Sequence, residues 1–340
     1  MKRIYGNDYL LKTLANMIIS GKTTHSVIFH GEKGSGRKLI ADYYTSLLLC
    51  ENIHDGVPCG KCPSCRNVEN HAHPDVTYVK TDGKLEGYSV KTAREIISDA
   101  FVKPNNSSGR KIYIFRDCRN MSVQTQNMLL KLIEEPPDYA YFIFTAESKY
   151  EFLPTVISRC TCLAVSLCTE QETISALAES GYNDDDIKKA VSCFHGNIGA
   201  CIEYISDEKV RQRIDLTKRI ADSIIKGSEY ELNTAFYAVG TARNELYDVF
   251  SILDKLFRDC AVLSADKNAE SIGCYRDSAL TLSEIISPYK AVRIHDLIED
   301  SRKAVRLNVN ASLVVSSLCA EIMKIRSQEL FYERNSRNQV

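Results

Sequence analysis

Val27-Ile28-Phe29-His30-Gly31-Glu32-Lys33-Gly34-Ser35-Gly36-Arg37-Lys38 is the stretch whose reading decides the fold. A short run of β-formers passes into a glycine-rich turn, and the turn opens a segment, Lys38 to Leu49, that is helical in pattern. Strand, glycine loop and helix in that order are the setting a phosphate-binding loop requires. Gly31, Gly34 and Gly36 let backbone N–H groups curl around an anion, and the helix N-terminus adds a favourable dipole. The pattern calls for Gly-Lys-Ser/Thr at its end, whereas this chain has Gly36-Arg37-Lys38. A planar guanidinium is not a neutral exchange for an ammonium, and the ammonium of Lys38 cannot ligate a cation as a hydroxyl does. Gly31, Gly34, Gly36 and Arg37 therefore read as a degenerate phosphate loop, with ATP binding by this chain weak or lost. The plainer alternative is an ordinary glycine-rich turn between strand and helix.

Outward from this stretch, Lys111 to Phe115 and Tyr141 to Thr145 are two further buried-strand candidates. Between them, Ser122 to Glu135 has Leu129, Leu132 and Ile133 at helical spacing, Ser122 as an N-cap and Pro136-Pro137 as a stop. Short apolar strands separated by helices imply a parallel sheet covered on both faces over the first 165 residues. From Thr169 onward the pattern is helical throughout. Asn183 to Asp186 offers a cap, Gly196 to Gly199 marks a turn, and Ser206 to Glu208 a break. The series Leu246, Val249, Phe250, Leu253, Leu256, Phe257 and Cys260 follows the helical period. The polar end from Glu333 on reads as frayed.

A net charge of −1 gives no overall basic footprint for nucleic acid, so any DNA contact must be local or made through partners. No apolar run reaches the roughly 18 residues of a membrane span. The expectation is a cytoplasmic protein without a membrane partner. Cytosolic chemistry disfavours disulfides, so the 13 cysteines need another account. Nine are scattered and read as small buried hydrophobes. Cys50, Cys59, Cys62 and Cys65 instead form a C-x8-C-x2-C-x2-C array. Four soft ligands at that spacing favour zinc, and an all-cysteine shell leaves no open position, so the site reads as structural. An iron–sulfur cluster is the main metal rival, and free thiols in a loop are the other alternative. His71 or His73 could replace one cysteine, but both read as loop histidines.

The second strand ends in Phe115-Arg116-Asp117-Cys118, with a cation where an active P-loop ATPase has its metal-binding carboxylate. Asn127-Met128-Leu129-Leu130-Lys131-Leu132-Ile133-Glu134-Glu135-Pro136-Pro137 and Leu153-Pro154-Thr155-Val156-Ile157-Ser158-Arg159-Cys160 then resemble two elements of the clamp-loader ATPase family of bacterial DNA polymerase III. The position of the cysteine array, His25 to Gly31 and Leu307 to Asn310 are similar as well, so the resemblance spans nearly the whole chain. It implies an AAA+ α/β P-loop domain over residues 1–166 with a zinc module at 50–65. A small helical lid at 167–207 and an all-α collar domain at 208–332 would follow. Arg37 and Arg116 imply a non-motor member of the delta-prime kind, with tau/gamma ATPase subunits and the delta subunit as partners. The sliding clamp and primer–template DNA would be met through the assembly. The resemblance gives Arg159 a role in trans as an arginine finger in a neighbour's ATP site, with Ser158 helping to place it. Alone, Arg159 would read as a surface arginine. Thr145 falls at the family's sensor-1 region and reads as structural here, and Gly196 to Ala200 lacks the arginine that motor members carry. Two other functions are weighed against this one: an active tau/gamma-like ATPase, and a zinc-dependent nucleic-acid-binding module.

Overall fold

The computed structural model describes residues 3–82 and 87–328; the tail from Glu333 lies outside them. Strands β1 (Ser26–His30), β2 (Val76–Val79), β3 (Lys111–Phe115), β4 (Ala140–Ala146) and β5 (Thr161–Ala164) form one parallel sheet in the order β2-β3-β4-β1-β5. The period-2 alternation of strands sorts their side chains to two faces. Val27, Phe29, Ile112, Ile114, Tyr141 and Ile143 join one core, and Ile28, Tyr113, Phe115, Phe142 and Phe144 join the other.

Helices cover both faces, as all-parallel sheets require. The first core takes α1 (Asp8–Ile19), α2 (Arg37–Leu49) and α3 (Pro63–Glu69) through Leu10, Leu14, Ile40, Leu47 and Val68. The second takes α4 (Val90–Ala100), α5 (Val123–Glu134) and α6 (Pro154–Ile157) through Ala93, Ile96, Leu129, Leu132 and Val156. Helix α5 starts where Ser122 accepts a hydrogen bond from the Thr125 N–H and ends just before the paired prolines. Helix α7 (Glu170–Glu179) opens on a capping box between Thr169 and Glu172.

The chain divides into two compact units. The first runs to Gly181 and includes Gly196–Ala200; the second holds Tyr182–His195 and the described residues from Cys201 onward. Its helices are α8 (Asp184–Phe194), capped by Asn183, the body of α9 (Ile198–Ser206), α10 (Glu208–Lys226), α11 (Glu229–Val239), α12 (Arg243–Ala265), α13 (Arg276–Ile285), α14 (Pro288–Arg306) and α15 (Ala311–Ser327). Its core is centred on the apolar stripe of α12, where Leu246, Val249, Phe250, Leu253, Phe257 and Cys260 are fully buried. The buried carboxylate of Asp259 accepts from the Gly273 N–H at 2.7 Å and the Ile272 N–H at 3.0 Å, which ties the α12–α13 connection to the core. No helix among the described residues is long and apolar enough to cross a membrane.

Candidate functional site

Strand β1 delivers the glycine loop to the carboxyl edge of the sheet, the edge at which open α/β folds bind ligands. Gly36 is the N-cap of α2, with φ 93°. Arg37 is the first helical residue and is 5% exposed, so its guanidinium lies inside the loop and not above it. Its Nη1 donates to the carbonyl of Gly31 at 2.8 Å, and its Nη2 reaches Asp117 Oδ1 at 3.4 Å. Lys38 pairs with the other oxygen of the same carboxylate. Asp117 stands just past β3 in a left-handed turn, φ 54°, and its N–H donates to the buried Thr145 hydroxyl at 3.0 Å.

Where an active P-loop ATPase holds a metal between a hydroxyl and a carboxylate, this chain holds an ammonium against a carboxylate. Arg116, the other cation at this strand end, turns away from the loop. Its Nη2 lies 2.7 Å from both Asp42 oxygens, and its guanidinium stacks 4.7 Å above the Tyr78 ring. The three positive charges at positions 37, 38 and 116 thus meet two carboxylates of the chain itself, Asp117 shared by Arg37 and Lys38, and Asp42.

Residues 196–200 complete the loop. Asn197 is buried, donates from Nδ2 to the Lys33 carbonyl at 2.8 Å, and accepts at Oδ1 from the Ala200 N–H at 3.0 Å. The Gly199 N–H donates to the Gly34 carbonyl at 3.1 Å. Gly34 has φ 88°, and a Cβ there would fall 2.1 Å from Asn197 Oδ1, so both backbone and clearance demand glycine. Sequence reading marks 196–199 as a turn and 196–200 as lacking an arginine, and misses this strap, because nothing local in either segment announces a partner so distant.

Arg159 follows α6 and is exposed, with Ser158 as the helix C-cap. Its Nη1 donates to the Thr155 carbonyl at 2.9 Å and to Ser158 Oγ at 3.2 Å, while its Nε pairs with Glu134 Oε1 at 2.5 Å. Ser158 thus touches the guanidinium directly. Glu134, at the end of α5, is a contact that sequence reading does not single out.

The four clustered cysteines converge. Their Sγ atoms all lie within 4.8 Å of one another; a tetrahedral shell of about 2.3 Å metal–sulfur bonds has edges of about 3.8 Å. Cys62 and Cys65 are buried, and Cys50 and Cys59 are half-buried. Backbone N–H groups are aimed at the sulfurs: Cys59 N to Cys50 Sγ and Cys62 N to Cys59 Sγ at 3.3 Å, and Cys65 N to Cys62 Sγ at 3.4 Å. Donors from Lys61 and Cys62 lower the Cys59 pKa to about 6, whereas burial pushes Cys50 and Cys65 up. This donor set fits one soft cation. A cluster that binds its cysteines through several irons would space the sulfurs more widely.

The loop carrying the array turns at Asp55-Gly56, both with positive φ, between the paired His54 and Val57. Gly56 packs against Ala15 of α1, where a Cβ would fall 2.5 Å from the alanine methyl. His71 and His73 lie outside the four-sulfur group. His71 meets the Tyr78 ring edge-on, and His73 Nδ1 accepts from the Asp75 N–H at 3.2 Å.

Comparison with known proteins finds relatives for the first half of the chain. A family model described as DNA polymerase III, delta subunit, matches residues 6–168. The delta' subunit of DNA polymerase III from Bacillus subtilis (strain 168) is 31% identical over 156 residues, 46% of this chain and 46% of that protein. Residues 6–168 of this chain are thus similar to clamp-loader subunits of DNA polymerase III. Two further members are similar: the tau subunit of Bacillus subtilis (strain 168), 26% identical over 174 residues (51% of this chain, 30% of that one), and the gamma subunit of Buchnera aphidicola subsp. Schizaphis graminum (strain Sg), 28% identical over 196 residues (56% and 53%). The chain spans about half, or less, of the length of these relatives. The family match ends at residue 168, so the helices from α7 on lie beyond it.

Proposed function

We propose that this chain is a delta'-type, non-motor AAA+ subunit of the DNA polymerase III clamp loader. The observation that carries the reading is the state of the glycine loop. Arg37 is buried within it on Gly31 and Asp117, and Lys38 pairs with the same Asp117 carboxylate. A triphosphate would have to compete with hydrogen bonds and ion pairs the loop already makes, and it would bring its magnesium to a strand end that carries Arg116. ATP binding by this chain is therefore weak or lost. The role left to it is in trans: Arg159, with Ser158 beside it, enters the ATP site of a neighbouring tau/gamma motor and offsets charge developing on the γ-phosphate. Such fingers are worth roughly 10³–10⁵ in rate.

In this reading residues 1–166 form the AAA+ domain, 167–207 a small helical lid and 208–332 a collar for oligomerisation. Tau/gamma and delta subunits are its partners, and the sliding clamp and primer–template DNA are met through the assembly, in the cytoplasm. Cys50, Cys59, Cys62 and Cys65 hold a structural zinc ion.

The test is DNA- and clamp-stimulated ATP hydrolysis by the reconstituted tau/gamma–delta assembly, with this chain, with its Arg159→Ala variant, or with neither. Assembly is checked by size exclusion. A variant that assembles but stimulates poorly supports the finger; equal stimulation by variant and wild type removes it. The competing reading, an ATP-hydrolysing tau/gamma-like subunit, is favoured by the similarity to tau and gamma. It requires tight Mg-ATP binding and hydrolysis by the isolated chain.

A further inference from the structure

A guanidinium that acts on a neighbour's substrate must hold one orientation although it stands on an exposed surface. Arg159 has five N–H donors. Within the chain Nη1 donates to the Thr155 carbonyl and the Ser158 hydroxyl, and Nε stands in an ion pair with Glu134. Among the described residues nothing bonds the two N–H groups of Nη2. The side chain is thus gripped along one edge and open along another.

The grip comes from two helix ends with proline boundaries. Helix α5 ends at Glu134 shortly before Pro136-Pro137, and α6 begins at Pro154. Glu134 is also an unusual residue for its place. A carboxylate in the last turn of a helix faces the negative end of the dipole and is disfavoured there. The cation of Arg159 is what offsets that cost.

We propose that Glu134 is the positioning residue of Arg159: it fixes the guanidinium so that the Nη2 donors face outward, ready for an anionic oxygen of a nucleotide bound by a neighbouring subunit. This rests on the reading of Arg159 as a finger in trans. Glu134 does not touch the reacting atoms, and it acts through orientation alone, where a misplacement of about 1 Å can cost on the order of a hundredfold.

The experiment uses the reconstituted assembly with motor subunits whose own finger arginine is replaced by alanine, so that turnover reports the site facing this chain. Wild type, Arg159→Ala, Glu134→Ala, Glu134→Gln and the Arg159→Ala/Glu134→Ala double variant are compared for kcat and for KM of ATP. Thermal melting and size exclusion confirm folding and assembly of each. Glu134→Ala is expected to lower kcat on the order of ten- to a hundredfold with KM unchanged. Glu134→Gln, which keeps a polar oxygen beside the guanidinium, should recover most of the rate, and the double variant should be no slower than Arg159→Ala. If Arg159→Ala is slow while Glu134→Ala matches wild type, the positioning role falls and the finger stands. A Glu134→Ala variant faster than wild type, or one that slows the Arg159→Ala background further, also overturns the positioning role. If Arg159→Ala itself matches wild type, the finger falls and this inference with it.

Discussion

Arg37 donates from Nη1 to the carbonyl oxygen of Gly31 at 2.8 Å, so the first residue of α2 is bonded to the first residue of the loop that α2 terminates. A buried charge-assisted bond of this kind supports the protein, because removing it leaves a carbonyl without its partner. Arg37→Ala should cost about 1–3 kcal/mol of stability, measured by urea unfolding. Titration calorimetry of the isolated wild-type chain should detect no tight Mg-ATP binding. Arg37→Lys alone should not create it, since Lys38 and Arg116 remain.

The convergence of the four sulfurs leads to a metal measurement. Protein purified without added zinc should contain about one zinc per chain. Cys62→Ser should lose it together with ordered structure over residues 50–65, read by hydrogen exchange. Iron, or no metal, in the wild-type protein would contradict the assignment.

Asn197 serves Lys33 and Ala200 at once, and alanine serves neither. Asn197→Ala should destabilise the first unit by about 1–3 kcal/mol. Amide exchange should quicken at residues 33–36 and 199–200 while the strands stay protected. Unchanged exchange in the loop would mean that the strap does not hold it.

Asp99 gives a pH dependence. Burial raises its pKa, but hydrogen bonds from Lys111, at 2.8 Å, and Tyr113, at 2.7 Å, together with the lysine charge, outweigh this and hold it below 3.8. A lowered carboxyl pKa contributes stability that is present above the unfolded value and is lost as pH falls through the folded one. The wild type should therefore lose stability faster than Asp99→Asn as pH falls below about 4, with the two curves parallel near neutrality.

Much of the site was legible because its signals are local. Glycines 31, 34 and 36 after an apolar strand mark the loop, the cysteine spacings mark the metal group, and Ser122 with Pro136-Pro137 mark both ends of α5. Strands β2 and β5 were harder to find, being four residues each, and β5 has no buried position to reveal an alternation. The pairings of Asp42 with Arg116, of Glu134 with Arg159 and of Asn197 with Lys33 were not legible. Each joins residues whose spacing carries no period, and only the folded sheet brings them together.

Asn197 and Lys33 are 164 residues apart in the chain. Bringing ends so distant together costs about 4–5 kcal/mol in loop-closure entropy alone, and the β1–β5 pairing bridges almost as long a gap. During synthesis the glycine loop leaves the ribosome early, long before the residues that hold it have been made. The hydrogen bonds from Asn197 and Gly199 can close on the loop only after those residues have been made.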